Sequence, residues 1–517
     1  MINKLRRKSL EKINKSNSIS DILYLNSQEL PNKRFILNHT SDQIDDISYS
    51  QFNKYVNQCC MYFKKLKLKK KDIITLVLDN SLEYLIIYFA SIRYGTILNP
   101  LPINLGNKII DEKILEVQPK IIFTHFNIKK KNFKKHSSVI KIENYNFFKS
   151  KISKFREDED FLLKTKKNDI ALLYYSSGTT GKSKIIAYSN LATLENQRAL
   201  IATKLISLKN IHLCFLPLYH TSSLRHTIKF SLCVGGSILL FKNFWSIKDN
   251  IWKLAEKYKA NFFQTVPTIL NVILNTKYKE YMRPKSLNFI GSGSAILPWQ
   301  LKNKFEKKFG LKISNFYGLS EIGCSHFDDP FLKIKKKGQI GKILKGFKYK
   351  IFEKKDLSNR ITKIGELGVK SKTLLTSYYN NRHLFKKSFK EGFFLTGDYV
   401  SINKKNIFFY IDRKKDLIIK GGVNILPSEI ENIIQNIREI KEVAITSIYD
   451  EFYGENVCCF LVFKKKSKLS LKKIDNYCLR HLGNFKKPNK YIVLKKLPKG
   501  PSGKILKLVL KKKYEKK

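Results

Sequence analysis

Hydrophobic positions along the chain fall into two alternating patterns. Short unbroken apolar runs mark buried strands, and amphipathic stretches follow them. Asp72-Ile73-Ile74-Thr75-Leu76-Val77-Leu78 is one such run. Asn80-Ser81-Leu82-Glu83 then reads as a helix start, with apolar residues continuing to Ala90. Lys120-Ile121-Ile122-Phe123-Thr124 predicts another short strand. Ile170-Ala171-Leu172-Leu173-Tyr174-Tyr175 predicts a third, which runs straight into a loop of Ser, Gly and Thr. Strands alternating with helices predict sheets whose faces are covered. The expected fold is therefore α/β, with a large N-terminal domain of mixed, mainly parallel sheets covered by helices.

The pattern changes near Tyr410. Ser428-Glu429-Ile430-Glu431 predicts a helix opened by the Ser428 hydroxyl as N-cap, with an acidic first turn. Val443 to Ser447 and Val457 to Phe463 read as strands, and Ser470 to Leu482 as a helix. That suits a small C-terminal α+β domain. With the boundary at Asp412, the expected domains are 1–411 and 412–517. The N-terminal segment to Ile19 is basic but lacks the apolar stretch of a secretory signal. Phe230 to Phe241, bounded by Lys229 and Lys242, is too short to span a bilayer.

Composition alters this picture in one respect. The 517 residues carry 99 Lys plus Arg against 42 Asp plus Glu, a formal charge of +57. Such a charge can signal nucleic acid or an anionic surface. Only 13 of the cations are Arg, however, and only Arg6 and Arg7 are adjacent. Readers of nucleic acid favour the planar Arg fork. The lysine runs, such as Lys335 to Lys337, read as solvated loops, and no specific nucleic-acid partner is expected. The 8 Cys form no C-x-x-C pair, which excludes the common zinc and redox motifs and suits reduced thiols in a cytoplasm.

Four short segments carry candidate chemistry. Ser176-Ser177-Gly178-Thr179-Thr180-Gly181-Lys182-Ser183-Lys184 follows a predicted strand. Glycine lets backbone N–H groups approach an anion, while the hydroxyls and lysines add donors and charge, a composition suited to a phosphate chain. It is not a Walker A loop, because Ser176 stands where the first Gly would fall. Tyr317-Gly318-Leu319-Ser320-Glu321 places an aromatic ring, a hydroxyl and a carboxylate together, able to stack a base and hold a magnesium ion. Phe394-Leu395-Thr396-Gly397-Asp398 offers a carboxylate for ribose hydroxyls, and Lys499 to Lys504 a basic, glycine-containing segment. Read singly, each of the last three is also what an ordinary turn or a basic tail looks like.

Taken in order, these segments resemble the adenylate-forming superfamily, the AMP-forming acyl-CoA synthetases and their relatives. The resemblance spans nearly the whole chain. It includes Pro217-Leu218-Tyr219-His220, Val266-Pro267-Thr268, Ser292-Gly293-Ser294-Ala295, Ser377-Tyr378-Tyr379, Arg413-Lys414-Lys415-Asp416 and Gly422-Val423-Asn424-Ile425. It implies an enzyme that joins a carboxylic acid to ATP, forming an acyl-adenylate and pyrophosphate, and then passes the acyl group to coenzyme A. It assigns Ser177, Gly178, Thr179, Thr180, Gly181 and Lys182 to the phosphates and Gly293 and Ser294 to the adenine site. Tyr317 stacks on the base, Ser320 meets the α-phosphate, Glu321 holds Mg²⁺, and Asp398 and Arg413 bind ribose. Lys504 is the catalytic lysine, Lys415 the hinge, and Gly422 part of the thiol channel.

Departures from the family pattern are Ser183 for Pro, Ile185 for Gly, Ser320 for Thr, Asp412 for Gly and Asn190 about where a His often follows the loop. None removes an expected catalytic group. His220 brings no fixed negative charge, which disfavours an amino acid and suits a fatty or aryl acid, with His220 beside the reacting group. No carrier-protein sequence follows Lys517, so the expected acceptor is free coenzyme A or a separate acyl carrier protein. Two alternatives stay open: a standalone adenylation enzyme that loads such a carrier, and a degenerate, non-catalytic relative.

Overall fold

The computed structural model describes residues 1–40, 45–103, 105, 107–128, 137–156, 165–175, 184–207, 210–278, 281–332, 336–352, 361–421, 423–464, 469–500 and 505–514. The phosphate-loop residues Ser177 to Lys182, together with Gly422 and Lys504, lie outside the described residues. The chain forms a large unit, residues 1–176, 184–348 and 370–387, and a smaller one holding residues 349–369 and 388–517.

Two mainly parallel sheets build the large unit. In one, Ile211–Cys214, Phe262–Thr265, Phe289–Gly293 and Ile313–Leu319 run parallel, side by side. Gly323–Phe327 then folds back antiparallel on Ile313–Leu319. In the other, Ile73–Val77 lies between Ile97–Pro100 and Ile121–Thr124, all parallel. Ile170–Tyr175 joins that sheet and pairs antiparallel with Ile185–Ser189. The central strands are rich in Ile, Leu and Phe because both of their faces are buried, and Thr75, Asn99, His212, Gln264 and Ser314 are buried among them.

Helix Leu82–Tyr94 shows why the apolar run after Asn80 has no polar face. Every residue from Leu82 to Arg93 is buried, so nothing selects for amphipathicity. The Ser81 side chain caps it by accepting from Tyr84 N, and Gly95 ends it at φ 85°. Its one buried cation, Arg93, spends its guanidinium on Asn57 Oδ1 and on the Ser20 hydroxyl and carbonyl.

The smaller unit is α+β. Residues 361–369 pair with Phe393–Asn403, which pairs with Phe408–Arg413. A second sheet centres on Ile440–Asp450 against Gly454–Phe463. Helices Pro427–Ile434 and Leu471–Lys486 cover one face, where Ile430, Ile434, Ile445 and Leu461 are buried. Helix Lys507–Tyr514 covers the other through Leu510, against Phe460 and Val462.

Ser428 does not cap its helix as expected. The helix begins at Pro427, whose fixed φ and missing N–H suit a first helical position. Ser428 instead donates its hydroxyl to Ile411 O at 3.0 Å, and its N–H to Asp412 Oδ2 at 2.9 Å. The residue that departs from the family's Gly thereby ties Phe408–Arg413 to the next helix. Phe230 to Phe241 divides into the helix Phe230–Cys233 and the strand Ser237–Phe241. Among the described residues no helix is long and apolar enough to cross a membrane. All eight Cys are buried as free thiols.

Candidate active site

In the large unit, parallel strands deliver several of the expected residues to the end of one sheet. Gly293 and Ser294 close the strand Phe289–Gly293, with Gly293 opposite Phe316. A Cβ on Gly293 would meet Phe316 O at 3.0 Å and Gln264 Nε2 at 3.1 Å, so the absence of a side chain permits this approach. Ser294 takes φ 64° as the chain turns away. Tyr317 follows Phe316 on the neighbouring strand, and its ring meets His326 edge-on with centroids 5.3 Å apart. Gly293, Ser294 and Tyr317 thus meet at the carboxyl ends of adjacent parallel strands, where open α/β sheets bind ligands.

Beyond Tyr317 the chain makes a tight return. A Cβ on Gly318 would fall 2.0 Å from Gly323 O. The Asn196 amide brackets Cys324, donating to its O at 3.0 Å and accepting from its N at 3.3 Å. Ser320 and Glu321 sit in this turn.

Glu321 is fixed from a third direction. Leu375 N donates to Glu321 O at 2.7 Å, and the Thr373 hydroxyl to Ile322 O at 2.8 Å. The same segment continues as Ser377–Tyr378, paired with Ile185–Ser189. Tyr378 then contacts both sides: its hydroxyl lies 3.5 Å from Glu321 Oε1, and Lys184 Nζ stands 5.2 Å from its ring centre. Tyr175 and Ile185, which border residues 176–184, are direct cross-strand partners. Tyr378 therefore joins the Glu321 turn to the strand that leaves the glycine-rich segment. Sequence reasoning noted Tyr378 only as part of a family block, because its partners lie far from it in the chain.

His220 sits before the helical segment Thr221–Ser223, in the loop after Ile211–Cys214. Asn80 holds that loop. Its amide donates to Leu216 O at 3.0 Å and Phe241 O at 3.2 Å, and its oxygen accepts from Leu218 N at 2.8 Å. From the sequence, Asn80 reads as a helix start and as part of the family's opening pattern, without this role in holding the loop.

In the smaller unit Asp398 and Arg413 are cross-strand partners. Arg413 Nε lies 2.7 Å from Asp398 Oδ1, and the Asp398 side chain is 1% exposed. Asp398 is not in a turn: Phe393–Asn403 runs through it, with Gly397 at φ 69°. Tyr410 is half-buried beside Asp398 and Asp412, and burial, then those carboxylates, holds its phenol well above the usual range. Lys415 occupies the single helical turn Lys414–Asp416, and Lys414 pairs with Glu366 at 3.0 Å. Lys499 and Ile505 form an antiparallel bridge on either side of the segment that contains Lys504.

The acid set bears on a metal. Among the described residues no three His, Cys, Asp or Glu side chains cluster as a cage. A single carboxylate such as Glu321 is what magnesium uses when phosphate oxygens supply the other ligands.

A family model for AMP-binding enzymes matches residues 25–379, and a model for the C-terminal domain of those enzymes matches residues 429–504. The chain belongs to the AMP-binding enzyme family. It is an adenylate-forming protein by this membership. Sulfoacetate–CoA ligase of Cupriavidus necator is 28% identical over 342 residues, covering 66% of this chain and 66% of the relative. Long-chain-fatty-acid–CoA ligase FadD13 of Mycobacterium tuberculosis is 26% identical over 478 residues, covering 90% of this chain and 93% of the relative. ATP-bound MatB from Rhodopseudomonas palustris superposes with a TM-score of 0.86 at 24% identity, over 96% of this chain and 99% of that one. These curated relatives are CoA ligases, and an adenylate-forming acid–CoA ligase is the activity that family membership supports.

Proposed function

We propose that the chain is an AMP-forming acid–CoA ligase. The single observation that carries the reading is the Tyr378 junction, which couples Glu321 to Lys184 within an AMP-binding family match. In the first half-reaction a carboxylate oxygen attacks the α-phosphorus of ATP. The new O–P bond forms as the bond to pyrophosphate breaks, and pyrophosphate leaves with the electron pair. In the second, the thiol sulfur of coenzyme A attacks the acyl carbonyl, AMP departs, and the thiol proton passes to solvent.

Attack of an anion on an anion needs cationic charge fixed in place beforehand. Lys504 is our catalytic lysine for that role, and Ser177, Gly178, Thr179, Thr180, Gly181 and Lys182 bind the β- and γ-phosphates. Tyr317 stacks on adenine against Gly293 and Ser294, Ser320 meets the α-phosphate, and Asp398 and Arg413 bind the ribose hydroxyls. Glu321 would hold Mg²⁺, whose charge neutralises phosphate oxygens. His220 lies beside the acyl group. The C-terminal domain begins at Asp412 and is mobile, with Lys415 as its hinge and Gly422 beside the pantetheine arm.

The acid is of the fatty or aryl type. A cytoplasmic setting is supported by the eight free thiols, of which burial pushes Cys60, Cys214, Cys233, Cys324 and Cys458 up to about 12. A separate acyl carrier protein is the second acceptor to test. The test is AMP formation from ATP with an acid panel, with coenzyme A or a phosphopantetheinylated carrier. Acid-dependent AMP formation with coenzyme A supports the reading, and ATP binding without turnover on any acid contradicts it.

A further inference from the structure

The helical segment after His220 carries two cations that the proposed chemistry does not use. Arg225 and Lys229 line one small polar pocket with Thr221, Tyr174, Tyr188 and Asn196. Thr221, Arg225 and Lys229 follow one another at four-residue steps, and the stretch Leu224–Lys229 is π-helical, a form frequent at functional sites. Gln197 Nε2 donates to Arg225 O at 3.2 Å, which docks this stretch on helix Asn190–Ile201.

What the pocket lacks is a counter-charge. Lys229 is 6% exposed, and its ammonium lies 5.7 Å from the Tyr88 ring centre. Among the described residues no carboxylate pairs with either Arg225 or Lys229. Burial, then the Arg225 charge, pulls Lys229 down to about 7. A buried cation without an anion is costly, and a fold that keeps Lys229 buried beside the half-buried Arg225 is suited to an anionic ligand.

The pocket adjoins the proposed reaction centre on two sides. Thr221, on its wall, is the residue after His220. Asn196, also on its wall, brackets Cys324, three residues beyond Glu321. The Tyr188 phenol feels both sides: burial raises it, the Arg225 charge lowers it, and Glu321 raises it again.

We infer that Arg225 and Lys229 receive a second anionic group of the acid substrate, a carboxylate or its sulfonate analogue, so that the enzyme activates an aliphatic or aryl acid carrying a distal anion. This inference rests on the acid–CoA ligase reading. It deepens that reading, because a plain hydrocarbon acid would leave both cations unpaired.

The experiment pairs acids of equal length: glutarate with pentanoate, suberate with octanoate, terephthalate with benzoate. Binding is read by calorimetry without ATP, and turnover by pyrophosphate release with ATP and Mg²⁺. The proteins are wild type, Arg225→Leu and Lys229→Met, each checked for folding by melting temperature. Charge-assisted hydrogen bonds predict that the best diacid binds wild type at least about tenfold more tightly than its monoacid partner, and that this preference disappears in each folded variant. Equal binding of the two classes, unaffected by either substitution, overturns the inference while pyrophosphate release from monoacids leaves the ligase reading standing. Diacid binding that depends on Arg225 without any pyrophosphate release supports the anion pocket and overturns the ligase reading. Inorganic phosphate is the third ligand: if it matches the diacids in affinity and in dependence on Arg225, the pocket serves free anions and its assignment to a substrate tail is wrong.

Discussion

Arg413 Nε lies 2.7 Å from the carboxylate of Asp398, its direct partner across two antiparallel strands. The strands place both side chains on the same face, because cross-strand partners share one. Asp398 is almost fully buried, whereas the Arg413 side chain is 28% exposed. The pair is thus a fixed acid held by a cation that still reaches solvent, a suitable frame for two ribose hydroxyls.

Removing one member should cost more than removing both. Arg413→Met removes the cation from the buried Asp398 carboxylate and should lower stability by about 3 kcal/mol. The double variant Arg413→Met with Asp398→Leu should recover part of that loss, while ATP binding weakens in all of them. Urea denaturation with nucleotide titration measures both effects, and strictly additive losses would contradict the coupling.

Asn80 is predicted to act at a distance from the chemistry. Its amide holds Leu216, Leu218 and Phe241, and hence the loop that presents His220. Asn80→Ala orphans buried backbone groups, so stability should fall by about 1–3 kcal/mol. Turnover should fall with little change in the KM for ATP. A variant with wild-type turnover would show that the loop holds its shape without Asn80.

Gly318 has no room for a side chain, since its Cβ would overlap Gly323 O. Gly318→Ala must open the return that carries Ser320 and Glu321. A loss of at least about 1–3 kcal/mol is expected, together with loss of Mg²⁺–ATP binding. Wild-type melting and nucleotide affinity in this variant would contradict the close approach.

Three histidines predict a pH dependence. Burial lowers His212, His226 and His326 to about 3. A histidine in the unfolded chain takes up a proton near pH 6.5. These groups therefore contribute stability above that pH, and the contribution is lost as pH falls towards about 3. Each supplies a slope of up to about 1.4 kcal/mol per pH unit below roughly pH 6. The urea midpoint should fall steadily between pH 6.5 and 5, and less so in His326→Gln. An unchanged midpoint over that range would rule these histidines out as neutral core groups.

The strands of the large unit were legible in the chain itself. Ile170 to Tyr175 is an apolar run bounded by polar residues, and it is a strand over those same residues. Local signals succeed there because burial on both faces selects every residue. The helix after Leu426 was misread at its start, since Pro427 and Ser428 both suit a helix opening and only the pull of Ile411 and Asp412 decides between them. Asp398 looked like a turn residue because Gly397 precedes it, yet pairing with Arg413 carries the strand onward. The roles of Tyr378, Asn80 and Arg225 were not legible for a common reason. Each acts through partners well over a hundred residues away or across a helix packing, or contributes to a pocket that no local pattern announces.

The most direct test of the central claim is carboxylate-dependent pyrophosphate release with ATP and Mg²⁺, for the wild type and Lys504→Ala, across fatty, aryl, dicarboxylic and amino acids. Release with one class of acid, falling by at least about a hundredfold in Lys504→Ala while ATP still binds, is the predicted result. Folded, ATP-binding wild-type protein that releases no pyrophosphate with any acid, or a Lys504→Ala variant as active as wild type, would contradict it.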